Sequence, residues 1–118
     1  MHAQLVYFDG PRPRELVDAS DRASWERIAP ALAAHPDLDG QLVANYQLRR
    51  PDGSEVIVTV ARSGEALRTA SSVIAELPLL PGEDPALLPG PDRVEVYEVV
   101  AVTGDDGRLN RLAPEGSR

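Results

Sequence analysis

The sequence feature that most constrains the fold is a turn between two apolar-rich runs, within residues 41–62. The turn itself is Arg50-Pro51-Asp52-Gly53-Ser54. Pro51 fixes φ at the second position, Asp52 can accept a hydrogen bond from the backbone that follows, and Gly53 tolerates the left-handed conformation that closes such a turn. We therefore predict a β-hairpin, with Gly53 at positive φ.

Folding the chain about this turn places Arg49 opposite Glu55 and sorts the two strands into two faces. One face is apolar, and consists of Ala44, Tyr46, Leu48, Val56, Val58 and Val60. The other face is mixed, and consists of Val43, Asn45, Gln47, Ile57, Thr59 and Ala61. An antiparallel sheet usually buries its apolar face and leaves the other to water. We expect the helices to cover the apolar face, and a partner subunit to cover the mixed face, which has too many apolar residues for solvent.

Composition narrows the class of protein and of partner. The chain has 118 residues, enough for one compact domain with one core. Its net charge is -7, and all 12 basic residues are Arg, so the clustered positive field that nucleic acid needs is not expected. There is no Cys, which removes disulfides and thiol chemistry. No apolar run approaches the roughly 20 residues of a membrane helix, and we expect a cytoplasmic protein.

The remaining segments complete a regular order of elements. Residues 4–8 and 93–102 read as strands, and residues 14–35 and 64–77 show the apolar spacing of helices. Pro30 lies inside the first helix, where it removes a backbone hydrogen bond, so we expect a kink or a break near residues 27–30. Ser63 is placed to cap the second helix.

The resulting order, βαββαβ, is that of the ferredoxin-like α+β fold. In this fold a four-stranded antiparallel sheet carries both helices on one face. We assign residues 1–102 to this domain and expect residues 103–118, which are polar and Gly-rich, to form a flexible C-terminal tail.

The chain also resembles the dimeric α/β-barrel superfamily, in particular antibiotic-biosynthesis monooxygenase-like proteins. The resemblance spans residues 3–102 and rests on the βαββαβ order, the hairpin over residues 42–60, the helix start Ser63-Gly64-Glu65-Ala66 and the last strand Val94-Glu95-Val96-Tyr97-Glu98-Val99. It implies a homodimer in which two sheets pack face to face as a barrel, with a pocket between sheet and helices in each subunit.

The resemblance also bears on cofactors. Members that oxidise aromatic polyketides use neither metal nor flavin, whereas haem-degrading members ligate iron through a histidine on the second helix. Residues 64–77 contain no histidine, and the sequence has no phosphate-binding loop or paired metal ligands. We expect no cofactor and no metal.

Five residues are candidates for chemistry or binding. His35 and Tyr46 are the predicted catalytic residues, because an imidazole titrates near neutrality and a phenol can bond a ligand oxygen. Trp25, Tyr97 and Tyr7 are the predicted binding residues for an aromatic substrate. Each has a structural alternative: His35 suits a helix C-terminus as a cation, and the four aromatic residues suit a core.

Two functions are compatible with these residues. The first is a cofactor-independent enzyme of bacterial secondary metabolism that oxygenates or cyclises an aromatic or polyketide-like molecule, in a pocket near Trp25, His35 and Tyr46. The second is a non-catalytic ligand-binding or accessory dimer of the same fold. A tight set of polar groups around His35 and Trp25 would favour the first, and a pocket filled by its own side chains would favour the second.

Overall fold

The computed structural model describes residues 1–104 and 109–111. Its elements, in chain order, are β1 (His2–Phe8), α1 (Arg14–Arg22), a π-helical segment (Ala23–Ile28), α2 (Ala29–Ala34), a 3-10 turn (Pro36–Leu38), β2 (Leu42–Arg49), β3 (Glu55–Ala61), α3 (Gly64–Glu76), a second 3-10 turn (Pro85–Leu87), β4 (Arg93–Glu98), β5 (Ala101–Thr103) and β6 (Leu109–Arg111). Within the described residues no helix is long and apolar enough to cross a membrane.

The main sheet has the strand order β2-β3-β1-β4, and every neighbouring pair is antiparallel. With the helices on one side, this order confirms the predicted ferredoxin-like α+β fold. The hairpin register is also confirmed, since Arg49 pairs with Glu55 and Tyr46 with Val58. Gly53 has a φ of 88°, and its N–H donates to the Arg50 carbonyl at 3.0 Å.

One irregularity in the hairpin was not predicted. The register shifts between Leu42 and Ala44, so Val43 is an extra residue on β2, a β-bulge. Leu42 then pairs with Ala61 and packs against the core, while Val43 is 47% exposed.

The first helix does not show the break that was predicted near Pro30, but it changes helical type before that residue. Helical backbone runs from Arg14 to Ala34, and residues 23–28 adopt the wider π-helical turn. The N–H of Ala29 donates to the Ser24 carbonyl, five residues earlier. This widened turn lies directly before Pro30, which has no N–H of its own to donate.

The helices cover the mixed face of the hairpin, so the predicted assignment of the two faces is wrong. Ala61 is completely buried and clusters with Leu38 and with Ala66, Leu67 and Ala70 of α3. Glu55, on the same side of β3, is 3% exposed and lies under α1 through its contacts with Arg49. By contrast, Tyr46 and Leu48 of the apolar face are 55% and 54% exposed.

Two interactions secure the covering layer. Ser63 Oγ accepts the Ala66 N–H at 3.1 Å, which confirms the predicted cap of α3. In the connection after α3, Glu83 Oε1 accepts the Leu80 N–H at 2.7 Å and Arg27 Nε at 2.8 Å. Its carboxylate is buried, so it ties this connection to the first helix.

The C-terminal part differs from the prediction. The last strand was predicted over residues 93–102, but β4 ends at Glu98, where its ladder with β1 reaches His2. Residues 101–103 belong instead to a separate two-stranded sheet, in which β5 pairs with β6. The predicted flexible tail, residues 103–118, falls for the most part outside the described residues.

Candidate functional site

Trp25 lies on the π-helical segment and is 67% exposed. Because Trp25 is so exposed, its ring does not line an interior pocket between helix and sheet. It is also not the core residue that was the structural alternative.

His35 lies where α2 ends and the following 3-10 turn begins. Its Nδ1 accepts the Asp37 N–H at 3.2 Å, and its carbonyl accepts the Leu38 N–H at 3.1 Å. The imidazole therefore caps a turn, and one of its two nitrogens is engaged in that cap.

The three tyrosines lie together on the uncovered side of the sheet. We call this surface the open face. The register defines it as three rows across β2, β3, β1 and β4: Leu48, Val56, Tyr7 and Arg93; Tyr46, Val58, Leu5 and Glu95; and Ala44, Val60, Ala3 and Tyr97. Ten of these twelve side chains are aliphatic or aromatic, so the centre of the open face is apolar and its charges lie on the edge strand β4.

The β4 edge of the open face pairs charged and aromatic groups. The Arg93 guanidinium lies 3.9 Å from the centre of the Tyr7 ring, a cation–π contact. The Tyr97 hydroxyl donates to Glu95 Oε2 at 3.2 Å, and this hydrogen bond raises the pKa of Tyr97. The edge can therefore offer ring faces, a phenol and a carboxylate to a ligand.

The five predicted site residues do not form one site in the protomer. Tyr7, Tyr46 and Tyr97 lie on the open face, whereas Trp25 and His35 belong to the covering layer on the other side of the sheet. The four-stranded sheet separates the two groups. The arrangement of Trp25, His35 and Tyr46 around one pocket depended on the face assignment that the structure reverses.

A second feature, which the sequence analysis missed, is a charge network beneath α1 that is buried at Glu55 and Arg12 and partly exposed at Arg49 and Asp21. The Glu55 side chain is fully enclosed and lies 2.6 Å from Arg49 Nη2 and 3.8 Å from Arg12 Nη2. Arg49 also binds both carboxylate oxygens of Asp21 on α1. These bonds with Asp21 outweigh desolvation and, with those to Glu55, raise the pKa of Arg49. The network joins the loop before α1, the hairpin and α1 itself.

A cleft of about 420 Å³ lies above this network. It is lined by Arg12, Arg14, Val17, Asp18, Asp21, Arg49, Arg50, Pro51 and Gly53. One wall is a face of α1 and the other is the hairpin turn. A smaller cleft of about 60 Å³ lies between α1 and the connection that holds Glu83. Neither is lined by Trp25, His35 or a tyrosine.

Among residues 1–104 and 109–111, no three His, Cys, Asp or Glu side chains are grouped so as to hold a metal ion.

Comparison with known proteins found similarity in solved structures. Two of these are crystal structures of SnoaB, a cofactor-independent oxygenase from Streptomyces nogalater, and one of the two is a mutant. Their sequences are 19% and 20% identical to this chain. Each alignment covers 83% of this chain and 88% of SnoaB, with a TM-score of 0.44. A dimeric ferredoxin-like protein from an uncultured marine organism is 12% identical, with 99% and 90% covered and a TM-score of 0.49. No family model and no curated protein matches the sequence. The ferredoxin-like assignment rests on the strand order and register of the chain itself.

Proposed function

We propose that the protein works as a homodimer in which two open faces pack together as an α/β barrel, and that this dimer binds an aromatic small molecule without a cofactor. The observation that carries the proposal is the open face: a continuous apolar surface, with Tyr46, Leu48 and Tyr97 each more than half exposed.

The size of the open face supports association. Four strands and three rows of side chains give a projected area on the order of 400 Å² at standard sheet spacing. Protruding side chains present more accessible area than this projection, which brings the face towards the roughly 800 Å² per partner of a stable interface. Exposed apolar patches of several hundred Å² are typical of interaction sites.

The charges of the open face also suit a second copy. Arg93 and Glu95 are its only charged residues, so the face is neutral although the whole chain carries a net charge of -7. A two-fold axis lets Arg93 approach the partner's Glu95 and the reverse, because such an interface is self-complementary. Two copies can therefore meet here without like-charge repulsion.

The position of the tyrosines supports an aromatic ligand at the margin of this interface. Tyr7 and Tyr97 lie on β1 and β4, towards one edge of the open face. Arg93 already lies over the Tyr7 ring in a cation–π contact, and aromatic side chains of this kind stack favourably on planar aromatic ligands. This supports the binding or accessory dimer over the enzyme, because His35 and Trp25 lie on the far side of the sheet.

Cofactor-free oxygenation or cyclisation is the second candidate, and one observation favours it. Tyr97 and Glu95 form a phenol–carboxylate pair, which can relay a proton to or from a bound phenolic ligand. Cyclisation needs only proton transfers. In the oxygenation, dioxygen would oxidise a ring methylene to a carbonyl. One oxygen atom becomes the carbonyl oxygen, and the other leaves as water with the two hydrogens of the methylene.

The dimer is tested by introducing a charge at the centre of the open face. We expect multi-angle light scattering to give twice the 12.7 kDa protomer mass for the native chain and the protomer mass for Val58→Asp. Ser71→Asp adds the same charge on the exposed surface of α3 and should leave the dimer intact. A native mass of 12.7 kDa at micromolar concentration would refute the interface.

The ligand site is tested with indole as the probe in ligand-observed NMR. Tyr7→Ala should reduce the saturation-transfer signal, whereas Trp25→Ala removes an aromatic ring from the other side of the sheet and should not. For the enzyme candidate, oxygen consumption with an aromatic polyketide should be lost in Tyr97→Phe. Binding that survives Tyr7→Ala but not Trp25→Ala would place the ligand elsewhere.

A further inference from the structure

The cleft between α1 and the hairpin turn has the dimensions of a small-molecule site. Its volume of about 420 Å³ falls within the roughly 300–1,000 Å³ of ligand pockets. It lies on the covered side of the sheet, so it does not depend on the open face or on the dimer proposed above. The feature that distinguishes it is its arginines, four of the 12 in the chain.

Three of these arginines are matched by carboxylates. Arg14 lies 3.7 Å from Asp18, and Arg49 binds Asp21 in a bidentate pair. Arg12 is matched by the enclosed Glu55. The cleft is therefore close to neutral around these three arginines, and its preference for a charged ligand depends on the fourth arginine.

Arg50 is the lining arginine that remains. Among the described residues, its guanidinium has no hydrogen bond and no ion pair within 4.0 Å. The nearby Asp52 forms no ion pair with it within 4.0 Å and acts on it through longer-range attraction. Asp52 Oδ1 accepts the Ser54 N–H at 2.9 Å and the Ser54 hydroxyl at 2.6 Å. Within the described part of the chain, one arginine that lines the cleft thus has no counter-ion within 4.0 Å.

Arg12, which packs over the Phe8 ring at 4.9 Å, also lines the cleft and adds donor capacity. Its side chain is 9% exposed, its Nε donates to the Gly53 carbonyl at 2.7 Å, and its Nη2 is enclosed without a hydrogen-bond acceptor. Within residues 1–104 and 109–111, Nη1 makes no hydrogen bond to a protein acceptor, and Arg12 is one of the residues that line the cleft. Because Nη2 is enclosed and Nε is used on Gly53, Nη1 is the nitrogen of Arg12 that could donate to a ligand oxygen.

We propose that this cleft binds a small organic monocarboxylate. Arg50 would donate to the carboxylate in the fork geometry that a guanidinium offers to planar anions, and Arg12 Nη1 would add one further donor. Val17 and Pro51 would contact the apolar part of the ligand. A single unmatched positive charge, with Asp18 and Asp21 close by, favours a monoanion over a phosphate dianion.

The experiment is isothermal titration of the full chain with benzoate at low ionic strength, in parallel with benzamide and inorganic phosphate. We expect benzoate to bind, and benzamide, its neutral analogue, to bind about tenfold more weakly or not at all, because charge-assisted hydrogen bonds are roughly twice as strong as neutral ones. Phosphate should bind more weakly than benzoate. Two-dimensional NMR should show benzoate shifting the amide signals of Val17 and Gly53.

Matched variants separate this site from general attraction to positive charge. Arg50→Gln should weaken benzoate binding about fivefold or more, whereas Arg68→Gln removes the same charge from the exposed surface of α3 and should leave it unchanged. Equal weakening in both variants would overturn the proposal, as would phosphate binding at least as tightly as benzoate, or absence of benzoate binding. Unfolding midpoints of both variants verify that the exposed substitutions leave the fold intact.

Discussion

Replacing Gly53 by Ala tests how the hairpin turn is held against the rest of the chain. Gly53 has a φ of 88°, which an L residue adopts only with strain. In addition, a Cβ built at this position would lie 2.4 Å from the Arg12 carbonyl oxygen. Backbone must therefore move, since the clashing atom is not the end of a flexible side chain.

The size of the effect follows from what that movement breaks. The left-handed conformation alone costs about 1 kcal/mol for Ala. Separating the turn from the loop before α1 strains the bond from the Arg12 N–H to the Asp52 carbonyl, at 2.8 Å, and that from Arg12 Nε to Gly53, at 2.7 Å. Each such bond is worth roughly 1 kcal/mol, so we expect a total loss of about 3 kcal/mol.

Gly40→Ala is the matched control. Gly40 also has positive φ, at 68°, but nothing lies within 4 Å of a Cβ built there. We expect it to lose only about 1 kcal/mol in urea unfolding, with an unchanged m value in both variants. If the two variants lose the same free energy of unfolding, the turn can move away from Arg12 at little cost, and the reasoning is refuted.

Two further predictions concern the first helix and its contacts. Burial alone would raise the pKa of Glu83, but the Leu80 N–H and Arg27 outweigh it and hold that pKa below its ordinary 4.5. The ionised carboxylate then stabilises the fold above pH 4.5 and loses this effect as the pH falls through the lower folded value. The melting temperature of Glu83→Gln should therefore lie below that of the native chain at pH 7, with the gap closing in acid; a constant gap would contradict this. Trp25→Ala should cost less than about 1 kcal/mol in urea unfolding, because the ring is 67% exposed; a core-sized loss of about 3 kcal/mol would show that the ring is buried in solution.

Local chemistry accounts for the parts of the fold that the sequence predicts. The positive φ of Gly53 and the cap by Ser63 each follow from one or a few neighbouring residues. The pairing of Arg49 with Glu55 follows from counting outward from the turn. None of these depends on what packs above the sheet.

The choice of face could not be predicted because both faces of the hairpin are partly apolar. The decision depends on contacts between distant segments: Ala61 with α3, and Glu55 with Arg12 and Arg49. From the sequence alone, Glu55 is expected to be exposed to solvent, because its contacts with the two arginines cannot be seen there. The predicted pocket depended on the same face assignment and is also wrong, because it needed Tyr46 on the same side of the sheet as His35.

The β-bulge at Val43 has a consequence for how copies of the chain can meet. The edges of the sheet are β2 and β4, and an edge strand with free N–H and C=O groups invites another strand to extend the sheet. The bulge interrupts this pattern on β2, while Arg93, Glu95 and Glu98 place charges along β4. Edge-to-edge growth into larger sheets is thus discouraged at both margins, which leaves the open face as the surface through which the proposed dimer would form.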